Sequence, residues 1–247
     1  MKRFRILLKN EMKLSIRDMN MVIFAVLMPL AILIILGMLN GGRTTGPEAA
    51  YTFMEQSFGA LCAVSMCAGG LMGLPLVVAD YRERKILKRF QVTPASPALL
   101  LGVELTVYVV YCLISLATLG IASALIWNVR LHGSLPAFLG SWLLTMFSTL
   151  SIGMLVGGIA KNSKQAGVIA SLLYFPMLVF SGTTVPMEFM PERLQKVISM
   201  FPLTQGIILM KSTFLGITES SPLVPVLVMF GVTAVCTGAA IRFFRWE

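Results

Sequence analysis

Charged residues make up only 13% of this 247-residue chain, roughly half the share found in a soluble domain. Hydrophobic residues make up 57%. So little charge does not cover the surface of a soluble fold of this size, and a bilayer must serve as solvent for most of the chain. Histidine is almost missing: His132 is the sole one. The four cysteines, Cys62, Cys67, Cys112 and Cys236, all fall inside apolar runs, where a thiol behaves as a small hydrophobe. Neither a disulfide framework nor a metal site is expected from that distribution. Phosphate-binding loops are missing too; Gly157-Gly158-Ile159-Ala160-Lys161 is the nearest approach and has the wrong spacing. With no nucleophile elbow and no paired His–Glu helix, the chain is expected not to be an enzyme and to bind no cofactor itself. Acids are also few, 11 against 20 Lys and Arg, for a net charge of +9. In a soluble protein that excess would suggest nucleic acid. Here the cations flank apolar runs, so anionic lipid headgroups and membrane orientation explain them and nucleic acid is not expected.

What the chain does have is length of uncharged sequence. Six runs stand out, at residues 19–39, 56–79, 105–128, 135–160, 166–185 and 222–241. Each approaches the ~20 residues a helix needs to cross the hydrocarbon core. Pro176 interrupts the fifth, which closes on Ser181-Gly182. An N-terminus inside the cell would put Lys2, Arg3, Arg5, Lys9, Lys13, Arg17, Arg82, Arg84, Lys85, Lys88, Arg89, Lys161, Lys164, Arg242 and Arg245 on the cytoplasmic side. Only Arg43, Arg130, Arg193, Lys196 and Lys211 would lie outside. A 15-to-5 split over alternating segments is what orientation by loop charge predicts. The expected fold is an all-α integral membrane protein, one permease-like domain over residues 1–247 with six transmembrane helices and both termini cytoplasmic.

Residues 1–17 form a separate amphipathic element. Phe4, Leu7, Leu8, Met12 and Leu14 share one face of a helical wheel, opposite Lys2, Arg5, Lys9, Lys13 and Arg17, with Ile6 and Glu11 out of place. Such a helix lies in the headgroup layer. Gly69/Gly73 and Gly153/Gly157 permit close helix approach, within one subunit or between two. Glu104, near the cytoplasmic start of the third span, is expected to snorkel or pair with a nearby arginine. The apolar pieces 206–209 and 213–217 are broken by Lys211 and too short to cross.

Between the second and third runs lies a basic, polar island at residues 80–97. Its five cations place it in the cytoplasm, pinned between two spans and suited to docking another protein. The island reads Arg82-Glu83-Arg84-Lys85-Ile86-Leu87-Lys88-Arg89-Phe90-Gln91-Val92-Thr93-Pro94-Ala95-Ser96, with Leu99-Leu100-Leu101-Gly102 behind it. A second pattern follows the fifth run: Phe180-Ser181-Gly182, then Pro186, Met190-Pro191, Leu194, Ile198 and Pro202-Leu203-Thr204. Together, over essentially the whole chain, these resemble the type-2 permease subunits of bacterial ATP-binding-cassette exporters. That family typically reads Glu-Arg-Glu-x-Gly-Thr-Leu, a basic pair, Thr-Pro-x-Ser and a Leu-Leu-Gly run. Here Lys85 and Ile86 replace the usual Gly-Thr, and Tyr81 stands where the first Glu is expected.

The resemblance implies two permease subunits, as a homodimer, paired with a separate ATPase that carries ATP and magnesium. It implies that residues 80–97 form the coupling helix, with Arg82, Glu83, Arg84, Lys85, Lys88, Arg89, Thr93 and Pro94 meeting the ATPase. The second and fifth spans would line the path, making Cys62, Met66, Met72, Phe175, Met177 and Phe180 candidate path residues. Residues 183–217 would form an outer cap of short helices, marked by Gly182, Pro186, Pro191 and Pro202. The implied activity is export of an amphipathic drug, antibiotic, peptide or lipid-like molecule across the plasma membrane. Export of a polymer, glycolipid or ion by the same fold, and a non-transporting membrane sensor or scaffold, are the alternatives. An ion-coupled carrier is disfavoured, since no acid lies near the middle of a run and no internal repeat is evident.

Overall fold

The computed structural model describes residues 2–17, 19–40, 51–91, 97–180, 198–199, 201–217 and 222–243. The described residues form nine helices, and no strand occurs among them. Helix α1 is Lys2–Arg17; α2 covers residues 19–40, with a π-helical turn at Ile23–Leu27. Helix α3 runs Phe53–Glu83 with a second π turn at Ala68–Gly73, and α4 is the short Ile86–Gln91. Then come α5 (Pro97–Trp127), α6 (Leu135–Ile159), α7 (Ser163–Phe180), α8 (Pro202–Leu215) and α9 (Leu223–Phe243). Five helices, α2, α3, α5, α6 and α9, are long and apolar enough to cross a membrane. Helix α7 carries the expected fifth span as far as Phe180; residues 181–185 lie outside the described residues.

Helix α3 occupies the centre. From Phe58 through Leu71 almost every side chain is buried, packed by α2, α5, α6, α7 and α8. Close approach to α6 is made by glycine on both sides: a Cβ at Gly153 would stand 1.8 Å from the Gly70 carbonyl oxygen. Gly157 meets Val78 and Pro75, and Gly69 and Gly73 meet Tyr108. Both small-residue pairs thus serve packing within one subunit. The π turns of α2 and α3 face each other, and Ser65 Oγ donates to the Ala25 carbonyl within the first turn (2.6 Å). A hydroxyl thereby serves a backbone group that water does not reach in a bilayer.

Two expectations need correction. In α1 the half-buried residues are Phe4, Leu7, Leu8, Glu11, Met12 and Ser15, while Leu14 is exposed. Glu11 belongs to the inner face because a partner awaits it there, and Leu14 sits at the edge of the stripe. The segment around Lys211 is a single 14-residue helix, α8, started by Pro202 and ended by Gly216 at φ 72°. Lys211 is half-exposed at its side and does not break it. At ~1.5 Å per residue it is about 21 Å long, too short to cross, as expected. It is packed instead between α3, α6 and α9.

Candidate functional site: a transmission hub at the end of α3

Helix α3 does not stop where its apolar run ends. It continues through Asp80 to Glu83, and the chain then turns at Arg84-Lys85 into α4. Lys85 takes φ 57°, the left-handed region that glycine occupies without steric cost. This is the position where the resembled exporters carry glycine, so the turn itself is kept while its residue differs. Leu87 is only 1% exposed and anchors α4 in the core, while Lys85, Lys88 and Arg89 stay in solvent. Arg84 Nε donates to Asp80 Oδ1 (2.8 Å) on the exposed side. Thr93 and Pro94 lie outside the described residues.

Three consecutive residues at the end of α3 reach four other elements. The Tyr81 hydroxyl lies 2.9 Å from Glu11 Oε2 on α1 and 2.9 Å from Glu104 Oε1 on α5. Glu104 is buried, and its partner is this tyrosine rather than the expected arginine. Arg82 Nη1 donates to the carbonyls of Gly158 (2.7 Å) and Ala160 (2.9 Å), at the C-terminal end of α6, where helix carbonyls lack partners of their own. A cation at that end also meets the negative pole of the helix. Glu83 Oε2 accepts the Ser163 backbone N–H (3.0 Å), at the positive pole of α7. Arg82 and Glu83 thus grip the two sides of the α6–α7 turn. Both are expected to meet a partner; Arg82 is half-buried with its Nη1 on the end of α6, and Glu83 stays exposed while it accepts from α7. Glu11 and Tyr81 were not selected from sequence, since each stood out only as a departure from a pattern.

The other candidates separate. Cys62, Met66 and Met177 are buried in one apolar cluster inside the subunit, Met72 is half-buried beside it, and Phe175 is exposed (57%). Phe180 ends α7. Of the cap residues, Pro202 opens α8; Gly182, Pro186 and Pro191 lie outside the described residues. At the opposite end of α3, Glu55 organises a second cluster. It is buried, accepts the N–H groups of Thr52 (2.8 Å) and Arg130 (3.2 Å), and lies 2.9 Å from His132 Nε2. The Thr52-x-x-Glu55 capping box was the sequence signal for it. Behind this cluster Phe58, Phe138 and Phe214 pack with centroids 4.7–5.9 Å apart. Glu55→Ala removes the shared acceptor of these half-buried and exposed donors, at about 0.5–1.5 kcal/mol for each bond lost. The detergent-solubilised protein is expected to melt at a lower temperature, and an unchanged thermal-shift midpoint would remove Glu55 from its structural role.

Known proteins can now be set beside this geometry. The ABC-2 type transporter family profile matches residues 2–215. The inner membrane transport permease YhhJ of Escherichia coli (strain K12) is 28% identical over 152 residues, and so is that of Shigella flexneri. The aligned stretch covers 60% of this chain and 40% of those relatives' own length. With the family profile running from α1 to the end of α8, through every one of these elements, this multi-pass membrane protein belongs to the ABC-2 type transporter family.

Proposed function

We propose that this chain is the membrane-spanning subunit of an ATP-driven exporter in the plasma membrane, working with a separate ATP-binding-cassette ATPase. The observation that carries the reading is the triplet Tyr81-Arg82-Glu83, which ties the base of α4 to α1, α5, α6 and α7. The ATPase binds ATP and magnesium and docks on the solvent face of α4, where Lys85, Lys88 and Arg89 are exposed. Leu87 makes α4 a lever rather than a tether. A push on α4 enters α3 through the chain and reaches the neighbouring helices through the triplet, so the bundle shifts between two packings rather than deforming locally. Six spans put both chain ends on the ATPase side, and α8 belongs to the outer cap.

A second copy completes the path. Val168, Leu172 and Phe175 make an apolar, exposed stripe on α7, and Phe24 and Leu27 are exposed on α2. These faces suit a homodimer contact or an apolar path wall better than the buried Cys62 and Met66. The cargo is an amphipathic drug, antibiotic, peptide or lipid-like molecule, for which apolar and aromatic walls are suited. The relatives' designation as inner membrane transport permeases supports this placement.

Mild-detergent purification of the tagged chain followed by mass spectrometry tests the reading. A stoichiometric ATP-binding-cassette ATPase is expected with the wild type. Recovery should fall by roughly tenfold or more in Lys88→Glu/Arg89→Glu, because reversed charge opposes a complementary partner face. No ATPase with the wild type, or equal recovery with the variant, rejects the docking surface.

A further inference from the structure

Each π turn is followed at once by a proline: Met28-Pro29 after the turn of α2, and Leu74-Pro75 after the turn of α3. Proline alone does not call for such a turn, since Pro176 lies inside α7 without one. What the pairing does is free backbone groups. The Met28 N–H reaches back five residues to the Ile23 carbonyl, and the Leu74 N–H reaches back in the same way to Gly69. The next residue in each helix has no N–H to give. In α2 the carbonyl four residues before the proline is that of Ala25, and the Ser65 hydroxyl on α3 serves it. In α3 the proline leaves Gly70 without an amide from its own helix. That carbonyl oxygen lies against Gly153 of α6, where a side chain would otherwise stand. A Cα–H contact of this kind replaces only part of a lost amide bond.

The turns also divide the packing of α3. Residues 53–67 pack mainly on α8 and on residues 28–40 of α2, whereas residues 74–83 pack mainly on α6 and α7. Between them, three of the six residues in the turn are glycine (Gly69, Gly70 and Gly73), so few side chains interlock across the joint. The two turns touch each other, and a helix bends most readily where a proline or a π turn interrupts its bonds. We propose that the two proline-backed π turns form one paired hinge, pinned by the Ser65 hydroxyl, on which residues 74–83 and α4 swing against the outer parts of α2 and α3. The swing is confined to backbone whose regular amide bonds are already missing, so each half-helix stays intact. It lets the foot of α3 move the α6–α7 turn while the outer packing on α8 holds. The hinge is a property of the bundle and stands whether or not an ATPase drives it.

Electron spin–spin distances in the purified full-length chain test it, with α5 as an internal ruler. That helix is regular α from Pro97 to Trp127. One label pair spans the hinge at Ser57→Cys and Arg84→Cys; the other spans α5 at Ala98→Cys and Leu125→Cys. Both pairs are separated by the same number of residues, about 40 Å of helix. Cys236→Ser removes the native cysteine that is not buried. The hinge pair is expected to give a distribution roughly twice as wide as the ruler's. Pro75→Ala restores an N–H to the turn and should narrow it towards the ruler. Ser65→Ala removes the pin and should widen it further. Each variant is measured on its monodisperse size-exclusion fraction. A hinge-pair distribution in the otherwise wild-type chain no wider than the ruler's overturns the hinge, with no core variant needed. A wide distribution that Pro75→Ala leaves unchanged puts the bending elsewhere in α3 and overturns the assignment to the π turn. A width unaffected by Ser65→Ala overturns the pin.

Discussion

Replacing Gly153 by valine is expected to abolish folded protein. Its Cβ would stand 1.8 Å from the Gly70 carbonyl oxygen and 3.0 Å from the Gly70 carbonyl carbon. That obstacle is backbone, so no rotamer change clears it, and it sits in the π turn of the most buried helix. Overpacking a core ordinarily costs about 1–3 kcal/mol. Here α3 and α6 have to separate, unseating Thr149, Leu150 and Pro75 as well, so the cost exceeds that range. Detergent size-exclusion should show aggregate or no protein for Gly153→Val. Gly140 lies on the same helix with no atom within 4 Å of its Cβ, and Gly140→Val should elute as the wild type does. A monodisperse Gly153→Val peak would mean that α3 and α6 do not pack as described.

The contrast between these two glycines marks what the chain discloses and what it hides. Long uncharged runs separated by cations announce spans, and five of the expected six coincide with helices long enough to cross. The basic island is equally plain, because nothing but a surface loop tolerates five cations between two spans. Within a run, however, every position is apolar, so period carries no information about which face is inside. The π turns leave no trace in sequence for that reason. Nor did the burial of Cys62 and Met66, since thioether and thiol side chains suit a path wall as well as a core. The polar contacts were hidden differently. Glu11, Tyr81 and Glu104 lie 93 positions apart end to end, and only the packing of α1 and α5 against the foot of α3 brings them together. Glu104 was visible as an isolated acid; its partner was not, because tyrosine reads as just another aromatic at a membrane boundary. Glu55 stands one residue before the uncharged run at 56–79, so the charge pattern leaves it outside the span although its capping box is local.

Arg82 and Arg84 look alike in sequence, and the structure separates them sharply enough to predict opposite outcomes. Arg82 reaches the carbonyls of Gly158 and Ala160, whereas Arg84 makes an exposed i,i+4 pair with Asp80. A charge-assisted bond of the first kind contributes about 1.5–3 kcal/mol, while an exposed pair of the second kind contributes ~0–1 kcal/mol. Spin labels at positions 89 and 164, on α4 and the first turn of α7, report whether the two elements move as one body; both native side chains are exposed. A single narrow distance distribution is expected in the wild type and in Arg84→Ala. Arg82→Ala should broaden it, because the polar hold of the foot of α3 on the α6–α7 turn is then reduced to Glu83, beside the small apolar packing of Ala79 on Ala160 and Ala166. Arg82→Lys should recover only part of the order, since the lysine ammonium sits on a shorter, more flexible stem than the guanidinium Nη1 that reaches both carbonyls. Lever motion started at α4 would then dissipate before reaching α6 and α7. A distribution in Arg82→Ala as narrow as the wild type's would show that the turn is held by other contacts and that the triplet does not transmit force.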